Sequence, residues 1–183
     1  MIKKELLGEH VLHIILNRLA FELVENHRDF SNTVLVGLQP RGGFVLNKLL
    51  ELLAKQGFDS IENGLLDITF YRDDFRRRES PLAANKTQID VLLEGKKVVF
   101  IDDVLYTGRS VRAALDAIHS FGRPLEIELL VLIDRRFSRQ LPIQPDYTGQ
   151  RVDAISSERV SVEWQEENKK DSVYLLNVPD ERA

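Results

Sequence analysis

Two adjacent carboxylates, Asp102 and Asp103, close an unbroken apolar run from Val98 to Ile101. They lead into Val104-Leu105-Tyr106-Thr107-Gly108-Arg109-Ser110. Such a run reads as a buried parallel strand that delivers its last residues to the C-terminal edge of a sheet. The turn that follows has the make-up of an anion cradle. Gly108 lets backbone approach closely, Thr107 and Ser110 bring hydroxyls, and the N–H groups opening the next helix attract negative charge. Acids beside a phosphate cradle have a natural partner in a ribose diol. On its own, the acid pair would equally suit a carboxylate capping the following helix. Strand, paired acids, Thr-Gly turn and helix start in one order form the context that a functional motif requires.

A second anion loop precedes it. In Gln39-Pro40-Arg41-Gly42-Gly43 the glycines free the backbone to turn its N–H groups outward, and Arg41 supplies a planar fork for phosphate oxygens. Taken alone this is also an ordinary strand-to-helix turn. Two anion loops flanking a diol site match a sugar that carries a 5-phosphate and a 1-diphosphate. A third segment, Tyr71-Arg72-Asp73-Asp74-Phe75-Arg76-Arg77-Arg78, is strongly charged. Arg76 to Arg78 read as a solvated turn, whereas Arg72 directly follows a strand at the ligand-facing end.

The elements that must position these loops follow from periodicity. Leu12, Ile15, Leu16, Leu19 and Leu23 keep helical spacing from Glu9 to Asn26. Thr33 to Leu38, Leu65 to Tyr71, Lys97 to Ile101 and Leu125 to Ile133 read as strands. Phe44 to Lys55 and Arg109 to Phe121 read as helices, ended by Gly57 and Gly122. Arg72 to Glu94 is long, polar and without clear period, as a functional lid or a disordered segment would be. Alternating strands and helices predict an α/β fold with a parallel sheet, and ligands in such sheets bind at the carboxyl ends of the strands. The loops at 39–43, 71–74, 102–110 and 134–137 all converge there. Past Asp134 the pattern turns to short polar loops and strands, with Glu158 to Trp164 able to pair with Ser172 to Leu176. Trp164 alternates with Val160 and Val162, which suits a core residue better than a base-stacking one. One domain over 1–183 is expected, with a core at about 9–134 and a hood with C-terminal strands at about 135–183.

Composition narrows the class. The 183 residues are enough for one domain with a sizeable core, and 43% hydrophobic with 30% charged is ordinary for a globular chain. The absence of cysteine excludes disulfides, thiolate catalysis and Cys-ligated metals, and it suits a cytoplasmic protein. No apolar stretch reaches membrane-spanning length. A formal net charge of −4 argues against generic nucleic-acid binding without a local basic patch. The four histidines do not cluster with carboxylates at ligand spacing, so no protein-built metal site is expected.

Val98 to Ser110 resembles the phosphoribosyl-diphosphate fingerprint of the type I phosphoribosyltransferases. Tyr106 stands where most of those carry a small residue. Together with Leu66 to Asp74, Phe121-Gly122-Arg123-Pro124 and Leu141-Pro142-Ile143, it resembles the PyrR family, pyrimidine-operon attenuators that also act as uracil phosphoribosyltransferases. The resemblance covers nearly the whole chain. It implies the type I phosphoribosyltransferase fold, a parallel sheet flanked by helices with a small C-terminal hood. The implied reaction joins phosphoribosyl to N1 of uracil, giving UMP and pyrophosphate. Asp102 and Asp103 would hold the ribose hydroxyls. Thr107, Gly108, Arg109 and Ser110 would hold the 5-phosphate, within a binding segment that includes Val104, Leu105 and Tyr106. Arg41, with Gly42, and Arg72 would face pyrophosphate, and Asp134 and Arg135 would complete the substrate site. Arg72 to about Asp90 would be the closing loop. Mg²⁺ would arrive with phosphoribosyl diphosphate, with few direct protein ligands.

The resemblance also implies self-association, as a dimer or higher, and a leader mRNA as partner. Asn17, Arg18, Arg135, Arg136, Arg139 and Arg151 would be the side chains meeting that RNA. Here the chain departs from the family. Phe21 stands where regulating members carry His, Gln144 and Gln150 stand where basic residues are usual, and 134–139 is one residue longer than the common form. Two other readings stay open: an RNA-binding regulator with weak or no turnover that senses UMP or the diphosphate through the same pocket, and a phosphoribosyltransferase for a purine base. Val11, Ile14, Ala20 and Val24 lie outside the main apolar stripe of the first helix, which also favours at least a dimer.

Overall fold

The computed structural model describes residues 3–72, 86–155, 157–168 and 170–177. Twelve elements follow one another: β1 (Lys3–Leu7), α1 (Glu9–His27), β2 (Thr33–Gln39), α2 (Gly42–Lys55), β3 (Glu62–Asp67), β4 (Lys97–Leu105), α3 (Arg109–Ile118), β5 (Glu126–Arg136), β6 (Tyr147–Asp153), β7 (Glu158–Glu163), α4 (Gln165–Asn168) and β8 (Ser172–Asn177). Five strands form a parallel sheet in the order β3-β2-β4-β5-β6. Because successive side chains alternate across a strand, this sheet feeds two cores. Leu35, Val99, Ile101, Leu130 and Leu132 pack with α1 and α2 on one face. Val34, Val36, Val98, Phe100 and Val131 pack with α3 on the other. With both faces covered, the central strands read as continuous apolar runs, which is why they stood out in the sequence.

A second sheet, β1-β8-β7, is antiparallel and roofs the cleft. The pairing of Glu158–Glu163 with Ser172–Asn177 is the one expected from alternation. Its third strand, β1, has no apolar alternation to mark it, since Lys-Lys-Glu-Leu-Leu is short and mostly polar. Nor has β6. The parallel sheet therefore continues past 134 to Asp153, and the hood draws on residues before 9. β6 fits tightly because Gly149 leaves no side chain where Leu132 and Ile15 press in: a Cβ would sit 2.3 Å from the Leu132 carbonyl oxygen.

Several boundaries shift. β4 runs through both aspartates to Leu105, because the ladder to β5 continues from Asp102 opposite Val131 to Leu105 opposite Asp134. β5 likewise carries Asp134, Arg135 and Arg136, although their polar side chains read as a loop. The stretch expected as one strand to Tyr71 ends at Asp67 instead. The Asp67 carboxylate accepts from the Thr69 N–H at 3.0 Å and the Thr69 hydroxyl at 2.6 Å, drawing 69–71 into a tight turn. Within α1, Ala20 is fully buried and Val24 partly so, leaving Val11, Ile14 and Phe21 as the exposed apolar residues.

Candidate active site

The carboxyl ends of β2, β4 and β5 open into a cleft of about 990 Å³ under the second sheet. Arg41, Arg72, the whole run from Asp102 to Val111, and Arg135 line it from the parallel-sheet side. Glu158 to Glu163 and Glu167 line it from the roof. The roof residues escaped sequence reasoning. Alternation in β7 identified Val160 and Val162 as core, and nothing in the sequence singled out Glu167.

Asp102 and Asp103 sit side by side on the floor. Burial pushes Asp102 well above the ordinary carboxylate range, and the neighbouring Asp103 charge adds to the rise. Burial also raises Asp103, offset in part by the Arg41 guanidinium and by the Val104 N–H that donates to Oδ1 at 2.7 Å. Asp102 accepts the Asp103 N–H at 2.9 Å. Val104 packs into the α1/α2 core and Leu105 into the α3 core, so these two anchor the acids.

Gly108 then turns the chain with φ +92°, a region that favours glycine, and serves as N-cap of α3. Gly108 brings no capping side chain; the Arg109 N–H donates to the Thr107 hydroxyl at 3.4 Å, and the helix start faces the cleft beside Thr107 and Ser110. The turn is buttressed from 139–143. The Gln140 and Leu141 N–H groups donate to the Thr107 carbonyl at 3.0 and 3.3 Å, and Arg139 donates to the Tyr106 carbonyl at 2.5 Å. Arg109 reaches Gln140 at 2.9 Å. Arg72 donates to the Ser110 hydroxyl at 3.3 Å, and its charge acts on Asp102.

Arg41 is the N-cap residue of α2. Gly42 and Gly37 let that helix start close against the sheet: a Cβ on Gly42 would lie 2.1 Å from the Ile101 carbonyl oxygen. Arg41 is engaged on all three nitrogens. Nε faces Asp103 at 3.4 Å, Nη1 donates to both Glu167 oxygens at 3.0 and 2.8 Å, and Nη2 donates to the Val162 carbonyl. Arg135 is 4% exposed and lies 4.1 Å from the Tyr106 ring centre, over its face. It donates to the Ile155 and Glu158 carbonyls at 3.3 and 2.9 Å, and its Nε is buried without a partner among the described residues. Asp134 lies outside the lining, bound to Arg139 and 4.0 Å from Arg151.

The residues considered for RNA are placed differently. Arg135 lies in the cleft wall, so it is no part of an open surface patch. Arg18 clamps the Thr148 and Gly149 carbonyls at 3.1 and 2.6 Å and pairs with Glu22 at 2.6 Å. Arg136 holds Asp153 through two bonds, at 2.6 and 2.7 Å. Asn17 donates to the His13 carbonyl. Arg76 to Arg78 and most of the expected closing loop lie outside the described residues. At its far end Gln88 exchanges backbone bonds with Leu65 at 2.9 and 2.8 Å. Among the described residues no group of three or more His, Asp or Glu side chains forms a metal cage. Two adjacent cleft carboxylates, both held above their usual range, suit a ligand that brings its own cation.

Fold and cleft define a phosphoribosyltransferase: residues 4–167 match the family described as the phosphoribosyl transferase domain. Among solved structures, the hypoxanthine phosphoribosyltransferase of Trypanosoma cruzi superposes with a TM-score of 0.71 at 14% identity, covering 96% of this chain and 97% of that one. That likeness is one of fold. The Bifunctional protein PyrR of Bacillus cereus (strain AH820) is 42% identical over 96% of this chain and 98% of its own length. The Bifunctional protein pyrR of Enterococcus faecalis (strain ATCC 47077 / OG1RF) is 38% identical over 96% and 97%. The chain belongs to the PyrR family of phosphoribosyltransferases.

Proposed function

We propose that this protein is a uracil phosphoribosyltransferase that converts uracil and phosphoribosyl diphosphate to UMP and pyrophosphate. The observation that carries the reading is the cleft floor. The acid pair Asp102–Asp103 stands near the end of β4, and the turn at 106–108 leads from it into the N-terminus of α3, with Arg41 and Arg72 alongside. Asp102 and Asp103 accept from the ribose hydroxyls, and the N–H groups and hydroxyls of 107–110 hold the 5-phosphate. Arg41 and Arg72 face the diphosphate, and Arg135, stacked on Tyr106, forms part of the cleft wall. The bond from C1 to the diphosphate oxygen breaks with its electron pair, N1 of uracil bonds to C1, and the N1 proton leaves to solvent. Charge accumulates on the departing pyrophosphate, where arginines stabilise it best in a water-poor site. Mg²⁺ brought by the diphosphate, with Asp102 and Asp103 as the residues that would face it, would supply further neutralisation.

The uracil assignment draws on the full-length relatives named Bifunctional protein PyrR. The experiment is a turnover panel of uracil, hypoxanthine, guanine and orotate with Mg²⁺ and phosphoribosyl diphosphate. Turnover of uracil alone is expected, and turnover of a purine base instead would overturn the assignment. The same relatives support a second role, binding of a pyrimidine-gene leader mRNA by a dimer or larger assembly in the cytoplasm, where phosphorylated substrates that do not cross membranes are kept. The exposed Val11, Ile14 and Phe21 on α1 support the assembly.

A further inference from the structure

We propose that Glu167 is a positioning residue that sets the affinity of the cleft for the diphosphate end of its substrate. Its carboxylate occupies the Arg41 guanidinium when that anion is absent. The inference rests on the reading of the cleft given above and concerns a residue outside its binding loops.

The geometry is that of an anion held in reserve. Arg41 opens α2 at the cleft, and its guanidinium faces Asp103 at 3.4 Å. Both Glu167 oxygens share the single Nη1, at 3.0 and 2.8 Å, instead of bridging two nitrogens as a fork-on-fork pair would. The side chains are 34% and 37% exposed, so solvent weakens the pair and an incoming anion can reach it. A diphosphate carries more charge than one carboxylate and more oxygens in suitable positions, so it displaces Glu167.

The exchange leaves the roof in place. α4, which carries Glu167, is fastened to α2 separately: Lys48 lies 3.3 Å from Glu166 and 3.2 Å from Asp171, whose carboxylate in turn accepts the Gln165 N–H that opens α4 at 2.7 Å. The turn before it is anchored by Trp164, fully buried and stacked on Phe44. Opening the Arg41–Glu167 pair therefore costs only that pair. An internal competitor lowers apparent affinity by the fraction of time it holds the site. Glu167 thus weakens capture of the diphosphate and hastens release of pyrophosphate.

The test is calorimetric titration of magnesium pyrophosphate into the parent protein, E167Q and E163Q, with steady-state kinetics on each. Glu163 lines the same wall but pairs with Lys3 at 2.6 Å, away from Arg41. In E167Q, pyrophosphate should bind about tenfold more tightly, with KM for phosphoribosyl diphosphate falling similarly and kcat falling as release slows. E163Q should gain less than about twofold, as loss of one screened charge allows. E167D, which keeps the charge but shortens the reach, should fall between parent and E167Q, and it carries the test if E167Q does not fold. Equal affinities in parent, E167Q and E167D overturn the proposal, as does the same gain in E163Q. A parent protein that neither binds pyrophosphate nor turns over uracil overturns the cleft reading as well.

Discussion

Asp102 and Asp103 are kept together in a buried place that favours their protonated forms. Each binds its proton more tightly in the folded chain than in the unfolded one. Their contribution to stability therefore falls as pH climbs from the ordinary aspartate value of 3.8 through the raised folded values. In the ligand-free protein, D102N should raise the melting temperature by about 2–4 °C at pH 7.5, with the gain fading toward pH 4. The same change should lower turnover about 100-fold or more, because a neutral amide is a poorer acceptor than a carboxylate. Scanning calorimetry at both pH values with a uracil turnover assay checks this, and an unchanged melting temperature at pH 7.5 contradicts it. The pair was legible from sequence because two acids directly after four apolar residues have few structural excuses. Arg41 was legible as a cation but its partners were not, since Glu167 and Val162 reach it from far along the chain.

The start of α2 shows how an element earns its position. It lies so close to β4 that only hydrogen fits at residue 42, so G42A must push the helix or the strand aside. We expect a loss of about 3 kcal/mol or more, read as a lower denaturation midpoint with an unchanged slope. A shift under about 1 kcal/mol would mean that the helix start can slide. The buried parallel strands and the amphipathic helices were legible because burial writes itself into apolar periodicity. β6 and β1 were not. Both are recruited by backbone pairing to partners distant in sequence, and their side chains, Thr-Gly-Gln-Arg in one and Lys-Lys-Glu in the other, carry no such period. The ends of β4 and β5 were misjudged for the same reason, since a ladder continues through Asp and Arg as readily as through Val.

As a whole molecule the chain is mildly acidic, and the arginines considered for RNA already hold carboxylates or carbonyls of the protein. RNA must compete for them, so binding should weaken steeply with salt. Substituting Arg18 and Arg151 together with Ala should reduce leader-RNA affinity and flatten the logarithmic salt dependence by about two. Unchanged affinity would assign the RNA to another surface. Val11, Ile14 and Phe21, 46%, 53% and 55% exposed, leave an apolar strip along α1 that a second copy would cover. Light scattering across a concentration series should give at least twice the monomer mass. A monomer throughout would leave that strip facing water.

The roof has a further consequence. Lys3 pairs with Leu176, so the second sheet is closed by strands from nearly opposite ends of the sequence. Such long-range pairing is entropically slow to form. The chain's one tryptophan, Trp164, shares a core with Leu7 of β1 and Val173 of β8, stacked on Phe44 with ring centres 6.2 Å apart and shielded from water. Its fluorescence is thus a built-in optical gauge of roofing, separate from the circular dichroism of the helices. On refolding, the helical signal should return first and the blue-shifted emission later, and the ability to make nucleotide should return with the light.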